Sequence, residues 1–85
     1  MNWNLQLTGP ARKDFQKLPP KDQARIKTAL VAMELDPFHG DIKRLIAKPS
    51  GWRRRVGNYR ILYDVYFEQH LIVIAGIARR TSTTY

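Results

Sequence analysis

The side chains best suited to chemistry in this chain are guanidinium groups, and they are grouped. Arg53, Arg54, Arg55 and Arg60 all fall within Trp52–Tyr63, read as WRRRVGNYRILY. Gly57-Asn58 separates two alternating runs, which signals a tight β-hairpin. With those two residues as the loop, Val56 faces Tyr59, Arg55 faces Arg60, Arg54 faces Ile61 and Arg53 faces Leu62. Side chains alternate sides along a strand. One face then carries Trp52, Val56, Tyr59, Ile61 and Tyr63, with Arg54 near its open end. The other carries Arg53, Arg55 and Arg60. Arg55 opposite Arg60 is a like-charge pair, destabilising by roughly 0.2–1 kcal/mol. Arginine cannot relieve it by losing a proton at neutral pH. An anion between the two forks can, and the planar guanidinium suits phosphate in particular. The plainer alternative is that the three side chains splay into water.

Other chemistries find little support. The sequence has no Gly-rich phosphate loop with lysine and no His-x-Glu pattern. His39 and His70 sit in expected turns, where a solvated surface role is the simpler reading. Asp14, Asp22, Glu34, Asp36 and Asp41 fall on helix faces or their flanking loop, away from the sheet, and only Asp64 is placed on the sheet's open face. Two-metal nuclease chemistry needs convergent carboxylates, so no metal site and no cofactor are expected. Arginines, lysines and tyrosines on an open sheet remain. That inventory binds RNA, and it can cleave RNA without metal. Guanidinium groups stabilise the charge that grows on phosphorus as a 2′-hydroxyl attacks. Tyrosine can carry a proton, and aromatic and guanidinium planes can hold splayed bases.

The composition agrees. The net charge is +8 over 85 residues, with a pI near 10.3. Such a balance points to a polyanionic partner, most often nucleic acid. Lys43, Arg44, Lys48, Arg53, Arg54, Arg55 and Arg60 share a window between Asp41 and Asp64 that holds no carboxylate. Cysteine is absent, which excludes disulfides and thiolate zinc and suits a reducing compartment. Met1–Thr8 does not have the pattern of a signal peptide, and the longest apolar run, Leu71–Ala78, is too short to span a bilayer. A cytoplasmic protein with no membrane association is expected. A chain this short is read as one domain, residues 1–85, burying only about 60–65% of its unfolded surface.

The elements that position the arginines follow from pattern. Trp3, Leu5 and Leu7 alternate with polar residues as a short strand. Thr8-Gly9-Pro10 starts a helix, with Ala11, Phe15 and Leu18 inward, and Pro19-Pro20 stops it. Ile26, Ala29, Leu30 and Met33 mark a second helix, roughly 20–35, ended by Asp36-Pro37. Phe38–Gly51 reads as an irregular connection, with Ile42, Leu45 and Ile46 tucked under the sheet. Leu71–Arg80 is a final strand. With Glu68-Gln69-His70 as its preceding turn, Val65 faces Val73, Ile61 faces Ile77, Arg60 faces Ala78, and Arg80 joins the Arg55/Arg60 face. A two-residue turn puts Arg79 there instead, because a one-residue slip swaps every side chain between faces. The fold class is α+β, in the order β-α-α-β-β-β: a small twisted, mostly antiparallel sheet with a two-helix hairpin packed on one face.

At this point the chain resembles the RelE/ParE superfamily of toxins from toxin–antitoxin pairs. The resemblance covers nearly the whole length. Its most specific piece is Trp52–Tyr63, and the second is Ile77-Ala78-Arg79-Arg80 followed by Tyr85. It implies a ribosome-dependent mRNA endonuclease whose partners are the ribosome, mRNA and a cognate antitoxin with an acidic amphipathic segment, and no small-molecule ligand. It implies catalytic roles for Arg60, Arg80 and Tyr85. Arg53 and Arg55 match basic first-strand residues that bind RNA, with Lys43, Lys48 and Arg79 as further phosphate contacts. The first-strand pair is commonly lysine in RelE-type enzymes. Arginine cannot serve as a base, so positioning and neutralisation fall to Arg53 and Arg55, and proton transfer to Tyr85. The ParE-like branch, which poisons DNA gyrase by binding, and a module that only holds an antitoxin are the alternatives.

Overall fold

The computed structural model describes residues 2–46 and 51–79. In chain order the elements are β1 (Asn4–Leu7), α1 (Gly9–Gln16), α2 (Pro20–Leu35), β2 (Ile42–Arg44), β3 (Gly51–Val56), β4 (Tyr59–Tyr66) and β5 (Leu71–Arg79). The sheet order is β1-β5-β4-β3-β2. β1 runs parallel to β5, and every other pairing is antiparallel.

Local chemistry sets the helix limits. The Thr8 hydroxyl accepts from the Ala11 amide at 3.2 Å and caps α1, satisfying one of the amides that a helix start leaves without a partner. Gln23 donates from its side chain to the Phe15 carbonyl at 3.1 Å, tying the end of α1 to the start of α2. α2 stops where Asp36 turns extended before Pro37, and the Asp36 carboxylate accepts the Phe38 amide at 2.9 Å.

Both helices press on one sheet face. Ala11, Ile26, Ala29 and Met33 meet Tyr59, Ile61, Tyr63, Val65, Ile72, Ile74 and Ile77 in the buried core. An aromatic cluster closes the end near the β4–β5 turn. Trp3 stacks on His70 with ring centres 4.0 Å apart, and Phe38 stacks on Phe67 and meets Trp52 edge-on. His70 is therefore half-buried rather than solvated. Its backbone is left-handed, φ 54°, a conformation histidine tolerates better than most residues, and its carbonyl accepts the Asn4 amide.

Three sequence expectations need correction. Phe38–Gly51 is not wholly irregular, because Ile42–Arg44 pairs with β3 as an edge strand. Three residues are too few for a periodicity to show. Ile46 does not tuck under the sheet but is 98% exposed. The β4–β5 pairing is also not uniform. Ile61 faces Ile77 and Arg60 faces Ala78, as the three-residue turn requires, but Val65 faces Ile72 rather than Val73. A β-bulge between Leu62 and Tyr63 joins the two registers. One extra residue, Ala75, separates Gly76, opposite Leu62, from Ile74, opposite Tyr63.

Candidate nucleic-acid interface

The β3–β4 hairpin pairs as its sequence dictates: Val56 with Tyr59, Arg55 with Arg60, Arg54 with Ile61 and Arg53 with Leu62. Gly57 takes a left-handed φ of 57° in the turn, which is why glycine sits there. Alternation then sends Arg53, Arg55, Arg60 and Leu62 to the face away from the helices. β2 adds Lys43, directly opposite Arg53. Lys43, Arg53, Arg55, Arg60 and Leu62 line an open cleft of about 500 Å³, with Arg44, Leu45 and Ile46 at its edge.

The cleft remains strongly basic. Arg55 Nε lies 3.8 Å from an Asp41 carboxylate oxygen, with the two side chains 44% and 58% exposed. A contact that long and wet is worth under about 1 kcal/mol, so it does not neutralise the surface. Asp64 shares the parity of Arg60 and Leu62 yet is only 6% exposed, so it is not displayed on the open face. Among the described residues, no group of His, Cys, Asp or Glu is arranged to hold a metal ion.

Arg54 has a different task. It points to the helix side, where Nη1 donates to the His39 carbonyl. Its guanidinium lies against Gly40, where a Cβ would come within 2.7–2.9 Å of it. Gly40 has φ 108°, a backbone conformation that favours glycine. The tyrosines of this face are committed too. Tyr59 donates to Asp22 at 2.7 Å, and that hydrogen bond, with burial, raises its pKa. Tyr63 donates to the Pro37 carbonyl at 2.8 Å, and burial pushes its pKa up to about 12. Neither phenol can act as a base near neutral pH.

The structure thus brings together Lys43, Arg53, Arg55 and Arg60. Arg79 pairs with Tyr59 and so lies on the helix-side face, not beside Arg60; the slipped register that would seat it in the cleft is not adopted there. Lys48, Arg80 and Tyr85 lie outside the described residues. Three of the five carboxylates set aside as remote from the sheet reach it. Asp14 accepts the Ile77 amide at 3.0 Å, Asp22 accepts from Tyr59, and Asp41 approaches Arg55. Helical spacing alone does not reveal such contacts, because they depend on how the helix hairpin is set on the sheet.

Comparison with known proteins now gives this geometry a context. The family model described as ParE toxin of type II toxin–antitoxin system, parDE, matches residues 5–83. The chain belongs to the ParE toxin family. A candidate toxin, RelE1, of Methanocaldococcus jannaschii is 30% identical over 83 residues, covering 94% of this chain and 92% of that one. RelBE2, a toxin–antitoxin complex of Mycobacterium tuberculosis, contains a chain that superposes with a TM-score of 0.83 at 28% identity, covering 94% of this chain and all of that one. The RelE–RelB complex of Pyrococcus horikoshii gives 0.84 at 23% identity, over 98% and 100%. The toxin has the α+β fold of RelE toxins within the RelE/ParE superfamily. No helix among its described residues is long and apolar enough to cross a membrane.

Proposed function

We propose that this toxin is a ribosome-dependent endoribonuclease that cuts mRNA without a metal. The observation that carries the reading is the convergence of Lys43, Arg53, Arg55 and Arg60 on one open cleft. In the reaction a ribose 2′-hydroxyl loses its proton and its oxygen bonds to the adjacent phosphorus. The bond to the next nucleotide's 5′-oxygen breaks, and that oxygen takes up a proton. A 2′,3′-cyclic phosphate and a free 5′-hydroxyl remain. Arg60, central in the cleft, stabilises the charge that builds on phosphorus, a contribution of the order of 10²–10³ in rate for one well-placed donor. Arg53, Arg55 and Lys43 hold flanking phosphates, and Lys48 is assigned the same task. Arg80 and Tyr85 are assigned catalytic roles by resemblance, Tyr85 for proton transfer. Arg79, opposite Tyr59, is left out of the cleft. The partner is an antitoxin whose acidic amphipathic segment meets the +8 chain, as complementary charge favours. RelB accompanies the solved relatives.

The ParE description of the matching family model favours a second reading, inhibition of DNA gyrase by binding. A translating extract with a reporter mRNA separates the two. Codon-phased cuts that require ribosomes support the nuclease. DNA damage with intact mRNA supports gyrase inhibition.

A further inference from the structure

β5 outruns its parallel neighbour. β1 pairs with it only as far as Leu7 opposite Ile74, while β5 continues to Arg79. Beyond Ile74 that side of β5 is met by α1. The Thr8 amide donates to the Ile74 carbonyl at 3.1 Å, and the Thr8 hydroxyl donates to the Ala75 carbonyl at 3.3 Å. Two successive carbonyls therefore point to the same side, which a regular strand does not allow. This is the bulge seen from the α1 side. Two residues on, the Ile77 amide donates to Asp14 Oδ2 at 3.0 Å. Among these contacts only the last involves a charged group, and such bonds are the stronger kind.

The bulge decides what stands beside Arg60. If the register of the turn end, Tyr63 opposite Ile74, ran on unbroken, Arg60 would face Ile77. Ile77 would leave the core, where it is buried, for the basic cleft. With the bulge, Ala78 faces Arg60, and its single methyl leaves the guanidinium room.

We propose that Asp14 is a positioning residue: from α1 it holds the Ala75 bulge and so fixes the β5 register that keeps the cleft open beside Arg60. Its effect on activity rests on the nuclease reading; its effect on register does not. Three proteins are compared, wild type, Asp14→Ala and Asp14→Asn, below their melting temperatures. NMR reads the cross-strand Hα contact of Ile61 and the exchange of the Ile77 amide, and binding of a short single-stranded RNA is titrated alongside. Wild type shows Ile61 against Ile77. In Asp14→Ala, Ile61 contacts Gly76 as well, Ile77 exchange rises by roughly tenfold or more, and RNA binding weakens several-fold. Asp14→Asn, whose amide oxygen still accepts the bond, restores all three toward wild type, which a general loss of stability does not do. If Asp14→Ala does not fold, Asp14→Glu, with its displaced carboxylate, is expected to show the same changes in weaker form. An unaltered Ile61–Ile77 contact with a protected Ile77 amide in Asp14→Ala overturns the proposal. A shifted register with unaltered RNA binding overturns its link to the cleft. Wild type that neither binds this RNA nor cuts mRNA on translating ribosomes rejects the nuclease reading while leaving the register result interpretable.

Discussion

The two faces of β4 divide one strand between two jobs. Tyr59, Ile61, Tyr63 and Val65 point to the helices and are buried. Both phenols there are held, by Asp22 and by the Pro37 carbonyl. Arg60 and Leu62, one residue away in each case, line the open cleft. The same contrast holds on β3, where Arg54 is tied to the His39 carbonyl while Arg53 and Arg55 face out. The comparison shows that a run of arginines is not one feature. Parity assigns Arg54 to the fold and its neighbours to the ligand.

Substitutions on adjacent residues can break this division. Ile61→Ala should cost about 2–5 kcal/mol of stability, read as a lower denaturation midpoint, with toxicity lost only as far as the protein unfolds. Alkali tests the buried tyrosines. The folded state keeps the Tyr63 proton up to a pKa of about 12, whereas an unfolded tyrosine releases it near 10. This stabilisation is complete below pH 10 and is lost as pH rises toward 12. It amounts to roughly 3 kcal/mol, with Tyr59 acting in the same direction. Tyr63→Phe should flatten that slope. Arg54→Ala should cost about 1–2 kcal/mol by removing its bond to His39, while Arg55→Ala stays within about 0.5 kcal/mol and weakens RNA binding. The smallest effect on stability is expected of Asp41→Asn, under about 0.5 kcal/mol; with the carboxylate gone from beside Arg55, RNA binding should tighten slightly.

Much of this was legible because the hairpin carries its own register. Gly57-Asn58 fixes the turn, the turn fixes the pairing, and the pairing gathers Arg53, Arg55 and Arg60. The Asp36-Pro37 stop and the Ile26/Ala29/Leu30/Met33 stripe likewise set α2 at Pro20–Leu35. What escaped were features without a local period. β2 is three residues long, so the pairing of Lys43 with Arg53 had no pattern to announce it. The bulge at Ala75 sits inside a continuous apolar run, where neither face is polar enough to mark the change of side. It explains why each of the two registers considered for β5 describes only part of it. Asp14 and Asp22 reach the sheet through the placement of the helices, which residue spacing along a helix does not encode, and Asp41 reaches Arg55 through the pairing of β2 with β3.

The role of Arg60 toward the RNA phosphate carries the nuclease reading. It is tested most directly by adding purified wild type and Arg60→Ala to translating ribosomes, mapping mRNA ends by primer extension, and melting both proteins in parallel. Codon-phased cuts are expected with wild type and about a hundredfold or greater loss of cutting with Arg60→Ala, with melting temperatures within about 4 °C of each other. A folded Arg60→Ala that cuts as well as wild type would contradict it.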